Sequence, residues 1–572
     1  MRVSAEHGII FAAAVASILF IAGCKTAPEK SKLDFSKVTE DFVYGSLALS
    51  PISATQAGYH EHQGVKLDEK LDDFSPAGIE AARSFYPGFK DRLAAIDQAS
   101  LSAEEHADFQ IIQNAADLSL QDLQEIQSYR HNPTTYVELV GNALFNPFVL
   151  EYAPFDTRFG QIIQRLSLVP TLMQQAKMNL VDSPEVWNRV AREENDGNIE
   201  LIDKTLRAKA PPNLKADYDK AAQPALDSLR SFSAYLKDDL SKKTSDWRLG
   251  QERYAKKFAY ALVIGKTPEQ VLSEAEAALK QAKEEMAKLA APHTIREALD
   301  AIAKQHTTPE HFMNQARQDL AEATAFVRQK NLVAFPTRGN LQVIPTPEFM
   351  RGAYGVAGFN AAPALEPQLG AFYWVTPIPS DWPKARIDSK LREYNRFGLM
   401  EITIHEAMPG HYVQFEVADN LVPQSRRVLR NIYGNVPYVE GWALYTQQMM
   451  SEQGFMDNSP ELQLTYYKQL LRSIANAILD IRLQSMGMTD QQALDLMIND
   501  TFQEREEATA KLQRAQLTSC QLPAYFVGLR GWLDTREEYK KRKGAAFVLS
   551  DFHNAALKES AVPLPALAQL LQ

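Results

Sequence analysis

Cysteine is nearly absent: the 572-residue chain has two, Cys24 and Cys520. Two cysteines cannot build a disulfide framework, and no CxxC pair offers a thiolate metal site or a redox couple. Cys520 reads as a buried, inert thiol. Basic tracts are missing too. Lys and Arg number 61 against 71 Asp and Glu, a net charge of −10, which argues against a nucleic-acid partner. The mildly basic "EEYKKRKG" at 537–544 reads as a solvated helix face. No fixed-period repeat stands out, which excludes a solenoid. What is present is an ordinary globular composition, 45% hydrophobic and 23% charged, ample for a large core.

The first residues read as a targeting segment. Arg2 precedes an apolar run from Gly8 to Ala22. That run is short for a membrane span and right for a signal peptide. It ends in Ile21-Ala22-Gly23-Cys24, similar to the bacterial lipobox, in which small residues precede a Cys that becomes lipidated and N-terminal. Lys25 follows where an Asp would divert sorting. The expectation is a signal peptide over 1–23 and a membrane anchor at Cys24, on the outer membrane and facing the periplasm. A polar tether over 24–40 should follow. Cleavage removes one Arg and one Glu (Arg2, Glu6), so the net charge stays at −10.

The remainder reads as mainly α, with two helical lobes around a cleft. From 41 to 333 apolar residues recur at i, i+3, i+4 and i+7, as in "PEQVLSEAEAALKQAKEEMAKLAA". Ser183-Pro184-Glu185, Thr267-Pro268-Glu269 and Thr308-Pro309-Glu310 look like helix starts, with a hydroxyl N-cap, Pro at the first helical position and an early acid. Residues 334–383 are rich in Pro, Gly and aromatics, with β-like runs at "NLQVIP" and "GAFYWVTP". Pro beside such runs favours edge strands. Helices then return to the end, and 334–572 reads as the catalytic region.

Chemistry concentrates in "EITIHEAMPGHYVQFEVA", residues 401–418. Neutral imidazoles bind Zn²⁺ well, but His405 and His411 are six apart. On an ideal helix, position i+6 lies about 240° around from i, nearly opposite. Pro409 resolves this. It lacks an N–H, and its ring clashes with the carbonyl four residues back, that of His405. It also disfavours α conformation at Met408, while Gly410 accepts unusual dihedrals. The chain should bend at 408–410 and return His411 toward His405. Glu406 then faces the metal's open position, where it can take a proton from the attacking water and pass it to the leaving amine. A catalytic zinc site needs a third protein ligand. Glu440 in "NVPYVEGWALYTQQMM", 29 residues after His411, is the best candidate; Glu401, Glu416 and Asp419 compete.

"HEAMPGHYVQ", "EGWALY", "QLPAYFVG" and "DFHNAALKESAVPLPAL" together resemble a bacterial family catalogued as domain of unknown function 885, many of whose members are lipoproteins. That family is similar to the gluzincin zinc metallopeptidases, with a mainly helical, cleft-bearing fold like the oligopeptidases. The resemblance implies His405, His411 and Glu440 as Zn²⁺ ligands and Glu406 as general base. It also suggests Tyr525 and His553 as donors to the transition state. Arg536 is a candidate for binding a peptide carboxylate bidentately. "GAFYWVTP", with Tyr373 near its centre, is a candidate edge strand for pairing with substrate backbone. Two positions depart from the family pattern: Tyr412 replaces a His, and Gln447 replaces an acid that would orient a ligand.

These observations lead to a lipid-anchored zinc metallopeptidase acting on peptides or short oligopeptides. Two alternatives remain: a non-catalytic peptide-binding envelope lipoprotein on the same fold, or a metal hydrolase of a non-peptide amide or ester.

Overall fold

A computed structural model describes residues 34–351 and 355–572. The signal segment, the lipobox and Cys24 lie outside the described residues. The first helix, Phe35–Leu49, already begins within the stretch read as tether. Asp34 caps it by accepting from the Ser36 N–H. Phe35, Val38 and Phe42 recur at helical spacing and are buried, so this segment is held by packing.

The fold is mainly α, as its periodicity implies. The expected helix starts fare unevenly. Thr267 forms a capping box with Gln270 at the head of Pro268–Ala290. Ser183 and Thr308 do not cap. The helix after Ser183 starts only at Glu185, and Thr308 Oγ1 bonds His311 Nδ1 at 3.0 Å at the head of a 3₁₀ turn. Among the described residues no helix is long and apolar enough to cross a membrane.

Two hydrophobic cores dominate. One is built largely within residues 134–240, around Tyr136, Leu144, Phe159, Leu166, Tyr218 and Phe232. The larger joins the N-terminal helices to the C-terminal ones. Helices on either side of residue 333 share it, so the composition break at 334 marks a sheet rather than a change of core.

That sheet has three strands: β1 (Leu341–Pro345), β2 (Ala357–Asn360) and β3 (Ala371–Val375), in the order β1-β3-β2. β1 and β3 correspond to the two expected runs. β3 pairs parallel with β1 and antiparallel with β2, Phe359 opposite Tyr373. β3 is therefore the central strand, which corrects its reading as an edge. All five of its residues are buried, as expected of "AFYWV", apolar on both faces. β2 has one edge without a strand partner among the described residues.

Six helices complete the site's frame: α1 (Arg396–Glu406), α2 (His411–Ala418), α3 (Val436–Glu452), α4 (Pro460–Ser485), α5 (Arg505–Leu517) and α6 (Pro523–Lys543). α3 and α6 touch backbone to backbone. A Cβ on Gly441 would lie 2.4 Å from the carbonyl carbon of Gly528, and one on Gly528 would lie 2.2 Å from the Pro437 carbonyl oxygen. Only glycine permits that approach.

Candidate metal centre

α1 is started by Asn395, whose side-chain oxygen accepts from the Phe397 and Gly398 N–H groups. It ends at Glu406, and α2 starts at His411. Between them Ala407 leaves helical geometry, at φ −121° and ψ −78°. The helix thus breaks over 407–410, one residue earlier than the expected bend. Gly410 sits at φ −70° and ψ −129°, outside helical and extended geometry, as expected. A second requirement adds to this: a Cβ there would sit 1.9 Å from the His405 carbonyl oxygen. The Gly410 N–H donates to the Ile404 carbonyl at 3.0 Å.

Trp442, two residues beyond Glu440, pins this turn. Its indole N–H donates to the Pro409 and Gly410 carbonyls at 3.0 and 3.1 Å. The helix that carries Glu440 therefore also fixes, through Trp442, the loop that leads to His411. From the other side Phe359 of β2 stacks on the His411 ring at a centroid separation of 6.3 Å.

The turn makes the two imidazoles converge, with ring centroids 4.8 Å apart and planes at 85°. Glu440 Oε2 lies 3.4 Å from His405 Nε2 and 3.6 Å from His411 Nε2. One ligand atom from each of the three residues falls within 4.8 Å of the others. The three fit a zinc ion. Ligands about 2.0–2.1 Å from a tetrahedral centre stand about 3.4 Å apart. Glu440 Oε2 is buried without a hydrogen-bond partner, an orphan that a cation would satisfy. Burial opposes ionisation of Glu440, yet the two imidazoles prevail and hold its carboxyl well below the usual range. Burial likewise opposes charge on His411, and Glu440 outweighs it and raises that pKa.

The group opens into a cleft with a cavity volume of about 360 Å³. Glu406 and Tyr525 line it beside the three residues, as do Gly355 to Phe359, including most of β2. The Tyr525 ring is nearly parallel to that of His405, centroids 6.3 Å apart. Its hydroxyl accepts from Arg514 Nη2 at 3.2 Å. Burial raises the Tyr525 pKa to about 12 despite the Arg514 cation, so the phenol keeps its proton.

Other expected residues lie elsewhere. His553 is fully buried, with Nε2 2.8 Å from the Tyr445 hydroxyl and Nδ1 2.6 Å from the Leu332 carbonyl. Its burial lowers its pKa to about 4. It packs on Trp442 behind the turn and does not line the cleft. Arg536 is committed to Glu452, 2.7 Å away, and lies over the Tyr445 ring. Tyr373 is fully buried, its hydroxyl hydrogen-bonded to Thr403 Oγ1 at 3.0 Å. As part of a central strand it cannot receive a substrate backbone. The competing acids are also accounted for. Glu416 pairs with Arg338 at 3.2 Å, Asp419 Oδ1 lies 3.5 Å from Asn431 Nδ2, and both Glu401 oxygens are buried without a partner. The two departures do not touch the three residues: Gln447 donates to the Glu401 carbonyl at 2.8 Å, and the Tyr412 hydroxyl donates to Asn340 at 3.2 Å.

Sequence reasoning missed β2 and the cations Arg472, Lys511 and Arg514, all of which line the cleft. A signal for the cations existed. Glu507, Lys511 and Arg514 fall at helical spacing among the buried Ala508, Leu512 and Ala515 of α5, and ionisable groups on a core-facing stripe seldom lack a function.

No functionally curated protein matches the sequence. Among solved structures, a candidate lipoprotein of unknown function from Shewanella oneidensis is similar at 28% identity and a TM-score of 0.77, over 94% of this chain and 99% of that one. A candidate lipoprotein from Colwellia psychrerythraea shares the fold at 17% identity and a TM-score of 0.78, over 94% of this chain and 98% of that one. Residues 51–571 match the family described as bacterial protein of unknown function (DUF885), and the chain belongs to that family.

Proposed function

We propose that this protein is a zinc metallopeptidase acting on peptides or short oligopeptides. The observation that supports it most is the convergence of His405, His411 and Glu440 on one point, with Glu406 facing the same cleft. The three would hold the ion. Bound zinc supplies Lewis acidity, which polarises a carbonyl and makes water nucleophilic near neutral pH.

The chain's own residues supply the rest. Glu406 takes a proton from the attacking water and returns it to the leaving amine. It has no ion pair among the described residues to hold it away from that task. Tyr525, protonated at neutral pH and steadied by Arg514, donates to the oxygen on which charge develops. The free edge of β2 receives an extended substrate backbone through main-chain hydrogen bonds, the part first given to β3. The lipobox at Cys24, together with the description of the two similar structures as candidate lipoproteins, supports a membrane anchor and an outer-membrane, periplasm-facing site of action.

The test is turnover of a mixed peptide library by the zinc-loaded protein and by Glu406→Gln. The proposal expects hydrolysis by the former, and zinc binding without hydrolysis by the latter. Full activity in Glu406→Gln would contradict it.

A further inference from the structure

Three basic side chains share the cleft with the metal group. Arg472 of α4 and Lys511 and Arg514 of α5 all line it. Buried charges are ordinarily paired, so each has to be accounted for. Arg472 lies 3.7 Å from Glu507 and 3.9 Å from Glu393. Arg514 makes only neutral contacts, donating to Gln521 Oε1 at 2.9 Å and to the Tyr525 hydroxyl. Lys511 is 6% exposed and has no hydrogen bond or ion pair among the described residues.

Three carboxylates line the cleft with them, and none is paired with Lys511 or Arg514; Glu406 has no ion pair among the described residues. Glu507 is taken by Lys390 at 2.5 Å, by the Tyr394 hydroxyl at 2.6 Å and by Arg472. Glu440 is taken by the two imidazoles. Burial and the neighbouring guanidiniums disfavour the charge on Lys511, a cost that an incoming anion removes. Two basic groups without carboxylate partners, on one helix and three residues apart, thus line the open space beside the candidate centre.

We propose that Lys511 and Arg514 form a subsite for a substrate carboxylate, either a peptide's free C-terminus or an acidic side chain. This rests on the peptide reading for the identity of the substrate and on the cleft alone for the subsite. A single charge-assisted contact distinguishes an acid from its amide by tenfold or more.

The experiment is calorimetric titration of the zinc-loaded, full-length protein carrying Glu406→Gln. Three probes are used: acetyl-Ala-Ala, its C-terminal amide, and acetyl-Ala-Glu amide. At least one acid should bind tenfold or more tightly than the neutral amide. Preference for acetyl-Ala-Ala alone assigns the subsite to a C-terminus, and preference for the Glu probe assigns it to a side chain. Adding Lys511→Met should bring the preferred acid down to the amide's affinity, while Lys511→Arg keeps most of the preference. Equal affinities, no binding of either acid, or a preference that survives Lys511→Met in a protein with an unchanged melting profile overturns the proposal. Hydrolysis by the Glu406 form is followed in parallel. Acid preference without turnover removes the peptidase reading and leaves the subsite standing; turnover without acid preference does the reverse.

Discussion

Gly441 and Gly528 are in backbone contact, and each is close in sequence to a residue of the candidate site. Gly441 follows Glu440, and Gly528 is three residues past Tyr525. The contact seats a metal-ligand candidate and an oxyanion-donor candidate in one cleft wall. Gly441→Ala places a methyl 2.4 Å from backbone that cannot rotate away. Such overpacking costs about 1–3 kcal/mol. The expected result is a lower thermal midpoint together with weaker zinc binding. A variant with unchanged zinc affinity would separate the helix contact from the site.

Trp442 offers a subtler perturbation. Trp442→Phe keeps an aromatic ring and removes the donor to the Pro409 and Gly410 carbonyls. The Gly410 carbonyl keeps the Gln414 N–H at 3.2 Å, whereas the Pro409 carbonyl loses its donor, at about 1–3 kcal/mol for a buried acceptor left unpaired. Supports of this kind typically govern metal affinity by about 10–100-fold. Zinc affinity should therefore fall by a factor in that range, measured by competition with a chelator, while the far-ultraviolet circular dichroism stays native.

Glu401 carries a pH signature. Burial raises its pKa to about 8 from 4.5, and no partner offsets it. Below pH 4.5 the carboxyl is protonated in both folded and unfolded chains, so it costs nothing. As pH rises toward 8 the unfolded chain ionises and the folded one does not, so stability declines across that window. Glu401→Gln stays neutral throughout. It should match the parent below pH 4.5 and gain on the order of 4 kcal/mol near pH 8. Parallel stability curves from denaturant titration at the two pH values would contradict this.

His553 and Arg536 serve as contrasts. Both are tied to Tyr445 or its surroundings and lie outside the cleft. His553→Ala should lower stability by a few kcal/mol through lost packing and two lost hydrogen bonds. Arg536→Gln should change stability by less than about 1 kcal/mol, since its ion pair with Glu452 is partly exposed. If the peptidase reading holds, KM for a peptide substrate should be unchanged in Arg536→Gln, because the guanidinium does not face the substrate.

What the sequence disclosed followed from local rules. The helical periodicity, the Pro-, Gly- and aromatic-rich interval at 334–383 and the break forced by Pro409 are consequences of near neighbours. The placement of Glu440 beside His405 and His411 was legible because the search for a third ligand led to the apolar helix that carries it. What the sequence concealed depended on long-range packing. β3 looked like an edge because prolines flank it, and only the pairing of Ala357–Asn360 made it central. β2 escaped notice because its Ala and Gly carry little strand signal. Gly410 was singled out for its dihedrals, which do lie outside helical and extended geometry, while the second constraint, a carbonyl 1.9 Å from a would-be Cβ, was not legible. His553 shared a motif with the family's site yet packs behind the turn, where it supports rather than reacts.

The central claim is that His405, His411 and Glu440 hold a zinc ion. Anomalous X-ray scattering on either side of the zinc absorption edge, from crystals grown with zinc, tests it most directly. The expected result is one strong peak about 2.0–2.2 Å from His405 Nε2, His411 Nε2 and a Glu440 carboxylate oxygen, lost in His411→Ala. A fully occupied lattice with no peak between these three residues, or a peak that persists in His411→Ala, would contradict the account.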